Sequence, residues 1–159
     1  MFRDLTRKNK QISEKECMDL LKMETRGVLS VLGDNDYPYG MPMNHWYNEE
    51  DGKIYFHCGN MKSHRTDAIN RHDKVSYCVF NQGHREDGEW AWKVKSVIVF
   101  GKMEIVDDMD AIIDITTKLS YKFIQDDDYI KEEIEKYAHE TLLLQLTPEH
   151  VCGKQITES

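Results

Sequence analysis

The 159-residue sequence predicts a mainly β fold of the α+β class: a six-stranded antiparallel sheet curled into a small barrel, with helices at its periphery. Three observations predict it. About six extended runs stand beside about four helical ones. Turns, not helices, join most of the strands, whereas a parallel sheet needs a crossover helix after each strand. Closing the sheet also leaves few exposed edges. No internal repeat, low-complexity stretch or long linker breaks the chain. Residues 1–159 therefore read as one domain, with 1–26 an N-terminal segment carrying a capped helix and 108–140 a helical insertion before the last strand.

The elements follow in order. In "ISEKECMDLLK", Ser13 stands three residues before Glu16, the spacing of a capping box. Ile12 and Cys17 form the apolar staple around it, and Leu20 and Leu21 continue the buried face. Gly27 ends the pattern and "VLSVL" is the first strand. "GDNDYPYG" is dense in turn formers, so the chain reverses there. "MPMNHWY" then alternates: Met41, Met43, His45 and Tyr47 share one face, Pro42, Asn44 and Trp46 the other. Pro42 lacks a backbone donor and belongs at a strand edge, a strand start or a bulge. "NEEDG" turns the chain into the returning strand "KIYFHC", which makes a hairpin.

Ser63 caps a short helix, "SHRTDAINRH", and "KVSYCVF" is the next strand. "NQGHREDGEWAWK" is polar, carries two glycines and reads as an exposed loop or irregular hairpin. "VKSVIVFGKMEIV" is the longest strand, with Gly101 marking a bend. "DDMDAIIDITTKLSYKF" is a helix started by Asp107 or Asp108, and "YIKEEIEKYAHE" is a second, more charged helix. "TLLLQLTPEH" is the buried final strand, ended by Pro148.

Composition narrows the partners. A formal net charge of -8 argues against general nucleic-acid binding, which needs a basic face. It leaves room for a small basic pocket. The four cysteines form no CxxC pair, the N-terminus carries no apolar leader and no stretch approaches a membrane span of ~18 apolar residues, so we expect a cytoplasmic protein with reduced thiols.

The chemistry centres on "HCGNMKSHR". Lys62, Ser63, His64 and Arg65 gather where a strand gives way to a helix start. A helix N-terminus offers unpaired N–H groups and partial positive charge, and arginine adds a planar fork suited to phosphate oxygens. Gly59 and Asn60 let backbone approach a ligand closely. The same residues also suit an ordinary solvated helix start, where Arg65 would be exposed in the absence of ligand. Asn44 can offer a donor and an acceptor to a flat polar ring, or satisfy a neighbouring turn. His45, His57, Cys58, His64, His72 and Cys78 lie near one another in sequence, but their spacing is poor for a metal site. No GxSxG, P-loop or GxGxxG fingerprint is present.

The order "GVLSVLGDNDYPYGMPMNHWY", then "GKIYFHCGNMKSHRTDAINRHDKVSYCVF", then "SVIVFGKMEIVDD" resembles the FMN-binding split-barrel family related to pyridoxamine 5′-phosphate oxidase, and within it the nitroimidazole-resistance (Nim-like) branch. The resemblance runs from about Gly27 to Asp108. It implies a six-stranded split β-barrel, a homodimer, and FMN in a groove at the dimer interface. It implies Met41, Met43 and Asn44 beside the flavin ring and His57, Cys58 and Gly59 along the flavin's middle. His64 and Arg65 would meet the phosphate beside Lys62 and Ser63, and Lys95 and Ser96 would reach across from the other chain. This chain has Ser63-His64-Arg65 where the branch has Gly-His-Lys, which keeps the cation and loses the glycine. The implied activity is reduction of a small electrophile such as a nitroaromatic with electrons from NAD(P)H. The alternative is a non-catalytic flavin- or haem-binding protein on the same barrel, with His45, His57 or His64 available to a haem.

Overall fold

The computed structural model describes residues 1–59 and 62–158, so the expectation for Asn60 falls outside the described residues. Seven strands form one antiparallel sheet: β1 (Arg26–Leu32), β2 (Pro38–Asn44), β3 (Trp46–Asn48), β4 (Lys53–Gly59), β5 (Lys74–Phe80), β6 (Trp92–Val106) and β7 (Thr141–Glu158). Four helices accompany them: α1 (Glu14–Met23), α2 (His64–Arg71), α3 (Met109–Ser120) and α4 (Asp127–Tyr137). The strand order is β2-β1-β5-β6-β7-β4-β3.

That order explains the curl. β2 and β3 lie at opposite edges of the sheet, yet only His45 separates them in the chain. The sheet must therefore wrap until its two edges meet, which makes it a split barrel. The sequence reads "MPMNHWY" as one strand; the structure breaks it at His45 and the count rises from six to seven. The face assignment holds: Met41 and Met43 are buried, Pro42 is exposed, and His45 is fully buried.

The barrel interior is filled from every long strand. Leu29, Ile54, Phe56, Tyr77, Val97, Val99, Leu144 and Leu146 are completely buried, and Phe56 meets Tyr77 edge to face at 4.9 Å. α1 adds Cys17, Leu20 and Leu21 to the same cluster. Its start is the expected capping box: Ser13 Oγ accepts from the Glu16 N–H, and the Glu16 carboxylate accepts from the Ser13 N–H. Ile12 and Cys17 are buried beside it. α3, capped by Asp108, covers a second, outward cluster of Tyr55, Ile112 and Leu143.

Close approach of neighbouring backbone requires glycine at positions 27 and 101. A Cβ on Gly27 would stand 2.5 Å from the Cys78 carbonyl oxygen and 2.7 Å from the Tyr77 ring. A Cβ on Gly101 would stand 2.2 Å from the Thr147 carbonyl oxygen. Gly101 does mark an irregularity, because the β6–β7 register shifts between Phe100 and Gly101. Pro148 does not end the last strand. It pairs opposite Gly101 at that shift, where a missing N–H is tolerated, and β7 continues to Glu158 against the start of β6. Among the described residues no helix is long and apolar enough to cross a membrane.

Candidate functional site

Arg26, Pro42, Met43, Asn44, His57 and Cys58 line a cleft of about 390 Å³. The barrel closure builds it. β2 ends at Asn44 on one sheet edge, and β4 carries His57 and Cys58 beside the other. Arg26 and Asn44 face each other across the β1–β2 ladder, and Arg26 Nε donates to Asn44 Oδ1 at 2.9 Å. That bond fixes the carboxamide, so its NH₂ group is the part left to present to a ligand.

The cationic helix start stands beside this cleft. Ser63 caps α2 reciprocally with Thr66. Arg65 is half-buried rather than exposed, which corrects the sequence expectation. Its Nη1 lies 3.3 Å from Met43 Sδ and 4.0 Å from Met41 Sδ, so the guanidinium itself turns inward against the two thioethers, which are weak acceptors. Its Nε is buried without a hydrogen-bond partner among the described residues. An orphaned donor on a permanent cation costs stability in isolation and suits an anion.

The remaining expected residues divide. Met41 and Met43 bring their side chains to the core and to Arg65, with Met43 also at the cleft wall. His57 sits at the open side of the cleft on protein that lowers its imidazole pKa by burial. The Cys58 thiol is raised by burial, against the opposing influence of Arg65. Gly59 ends β4 with open space where a Cβ would stand. Lys62 is exposed just before α2. His64 stacks on Tyr39 at 4.3 Å, and its Nε2 accepts from the Asp34 N–H at 3.2 Å, so it faces the 34–39 turn.

Lys95 and Ser96 lie elsewhere, on β6. Lys95 Nζ bonds Glu16 at 2.8 Å, which is the first cause holding the Glu16 carboxyl down at about 2. Ser96 shares the outward face of the sheet with Ile98. His45, a candidate haem ligand in the sequence, has both ring nitrogens engaged. Nε2 donates to the Leu21 carbonyl at 2.7 Å, and Nδ1 accepts from Tyr77 Oη–H at 2.8 Å. Burial and then Lys122 hold it neutral, with a pKa lowered to about 4, and the Leu21 carbonyl, which can only accept, keeps the one ring proton on Nε2.

Arg26 and Pro42 are the cleft residues that the sequence reading did not assign to the site, and Arg26 is the one with a polar role. Counting pairs back from the 33–37 turn places Arg26 opposite Asn44, so the signal was present. Among the described residues no group of three or more His, Cys, Asp and Glu side chains could hold a metal ion.

An antiparallel split barrel with a cleft of mixed polarity at its seam and a capped, cationic helix start beside it defines the class: a small split-barrel protein. The chain belongs to the pyridoxamine 5′-phosphate oxidase family, which it matches over residues 13–155. A Bacteroides thetaiotaomicron structure, provisionally assigned as a 5-nitroimidazole antibiotic resistance protein, superposes with a TM-score of 0.77 at 16% identity, covering 93% of this chain and 87% of that one. A conserved hypothetical protein from Mycobacterium tuberculosis gives 0.79 at 16% identity, covering 95% and 90%. An FAD and heme binding protein from Mycobacterium smegmatis gives 0.70 at 20% identity, covering 91% and 72%. A search of curated proteins found no match.

Proposed function

We propose that the protein is an FMN-dependent oxidoreductase that reduces a small electrophile, such as a nitroaromatic, with electrons from NAD(P)H. It works as a cytoplasmic homodimer with FMN at the subunit interface. The observation that carries this reading is Arg65: a half-buried guanidinium at a helix start, beside the cleft, with an Nε that no group among the described residues satisfies. A phosphate monoester supplies the charge and the acceptor oxygens that such a donor needs. The family match and the M. smegmatis protein, named for FAD and heme binding, support a flavin, and the heme in that name makes a haem the ligand to test against it.

When bound, the flavin supplies the hydride and electron transfer itself. The chain's residues bind and orient. Arg65, Lys62 and the first N–H groups of α2 hold the phosphate. Asn44, fixed by Arg26, donates to the ring's polar edge, with Met43, His57, Cys58 and Gly59 along one side. Lys95 and Ser96 approach from the second copy, and His64 joins the phosphate after leaving its bond with the Asp34 N–H.

The test is spectroscopic. Purified or reconstituted protein should show flavin absorbance and bind FMN more tightly than riboflavin. NAD(P)H should bleach it without oxygen, and a nitroaromatic should restore the colour. A protein that binds FMN but never bleaches would leave a flavin-binding role. A Soret band with no flavin uptake would sink the proposal.

A further inference from the structure

Lys122 lies just beyond α3, about a hundred residues from α1, yet its ammonium ends in the middle of three carbonyls. Nζ donates to Glu24 O at 2.6 Å, to His45 O at 3.0 Å and to Leu21 O at 3.3 Å. An ammonium has three N–H donors, and all three are placed. Two of the acceptors belong to the C-terminal end of α1, where unpaired carbonyls and the helix dipole favour a cation. The third belongs to His45, the residue at which β2 gives way to β3.

The neighbours of those carbonyls are the cleft. Two residues after Glu24 comes Arg26, and one residue before His45 comes Asn44, the hydrogen-bonded pair that walls it. The His45 N–H donates to Thr25 O at 3.2 Å, so the two segments are tied to each other as well as to Lys122. His45 in turn holds Tyr77 and Leu21. We infer that Lys122 is a positioning residue: by clamping the α1 terminus and the β2–β3 break from the helical insertion, it holds Arg26 and Asn44 in register across the cleft and thereby sets its affinity for a flat polar ligand.

The ligand part rests on the flavin reading above; the clamp does not. The charged groups around Lys122 agree with a cation there. Glu24 favours the ammonium, while burial lowers its pKa to about 8, so it is largely protonated at neutral pH. His45 stays neutral and adds no competing charge.

The test uses Lys122→Met, which keeps the stem and removes the donors, and Lys122→Arg, which keeps the charge with a different reach. Backbone amide exchange is measured on flavin-free protein, followed by FMN titration. In Lys122→Met, exchange at residues 25–27 and 43–46 should quicken about tenfold, the loss of a charge-assisted hydrogen bond, while β6 and β7 stay protected. FMN affinity should fall by a similar factor, and Lys122→Arg should fall between. Unchanged exchange at these amides would overturn the clamp. Equal quickening throughout the chain would overturn it too, because Lys122 would then be a general stabiliser. If Lys122→Met does not fold, the Arg variant decides by the same exchange pattern. Loosened amides with unchanged FMN affinity would overturn the link to the ligand. Wild type that binds no FMN would overturn the flavin reading, while exchange still decides the clamp.

Discussion

At the scale of single residues, Arg65 and His45 are the side chains whose burial sets them apart. Arg65→Ala removes a charge-assisted contact worth roughly 1.5–3 kcal/mol, so FMN should bind about 10- to 150-fold more weakly. Riboflavin should bind mutant and wild type almost equally, which isolates the phosphate. Arg65→Lys should lose less, since the charge survives without the fork. Stability should change little, because the lost packing over Met41 and Met43 is offset by removal of a buried, unpaired Nε. Equal FMN affinity by fluorescence quenching would make Arg65 a structural cation. His45 predicts a pH dependence. Its pKa falls from 6.5 to about 4 on folding, through burial first and the Lys122 charge second. Below pH 6.5 the unfolded chain takes up a proton that the folded chain refuses until about pH 4. Stability should thus drop by about 3 kcal/mol as pH falls through that window. His57 is lowered in the same direction, but it is exposed at the cleft and adds little. Urea unfolding of His45→Gln should start from a lower stability at pH 7 and change less between pH 6.5 and 4. A slope as steep as wild type would assign the acid sensitivity elsewhere.

At the scale of elements, what could be read in advance followed the range of the deciding contact. The starts of α1 and α2 were legible because Ser13–Glu16 and Ser63–Thr66 settle them within three residues. Strands β1, β4 and β5 were legible as short runs of strand-favouring residues bounded by turns or helix signals. The break between β2 and β3 was not, because His45 turns inward to partners 24 and 32 residues away. Nor was the run of β7 past Pro148, which depends on a register shift opposite Gly101. For the site, Asn44, His57 and Cys58 did meet in one cleft, whereas the inward turn of Arg65 depends on the β2 methionines, and no local pattern encodes it. The shift itself is testable. Gly101→Ala drives a Cβ into the Thr147 carbonyl, a backbone atom that cannot rotate away. Overpacking of this kind costs about 1–3 kcal/mol. A denaturation midpoint unchanged from wild type would mean that β7 relaxes around the bulge at no cost.

At the scale of the whole molecule, the outward face of β1, β5, β6 and β7 is left half-covered. Val28, Ser30, Ser76, Cys78, Ser96, Ile98 and Cys152 lie on it, a mixture too apolar for an ordinary exposed sheet and too small to form a ridge. Ile98 stands at its centre, with Cys78 and Cys152 directly opposite it on the two neighbouring strands. Small side chains let two such sheets pack at the usual ~10 Å separation, and a second copy of the same face is self-complementary about a two-fold axis. An obligate interface of this kind buries more than ~2,000 Å² in total. Ile98→Glu places two carboxylates near that axis without touching the interior, since Val97 and Val99, not Ile98, face the core. Light scattering at micromolar concentration should give twice the chain mass for wild type and a single mass for the variant, with the same far-ultraviolet circular dichroism. FMN affinity should fall when dimerisation is lost, because Lys95 and Ser96 would no longer arrive from the second copy. A monomeric wild type would remove the dimer and its interfacial flavin together. A monomeric variant that still binds FMN as tightly as the dimer would place the whole flavin site within one chain and return Lys95 to its pairing with Glu16 alone.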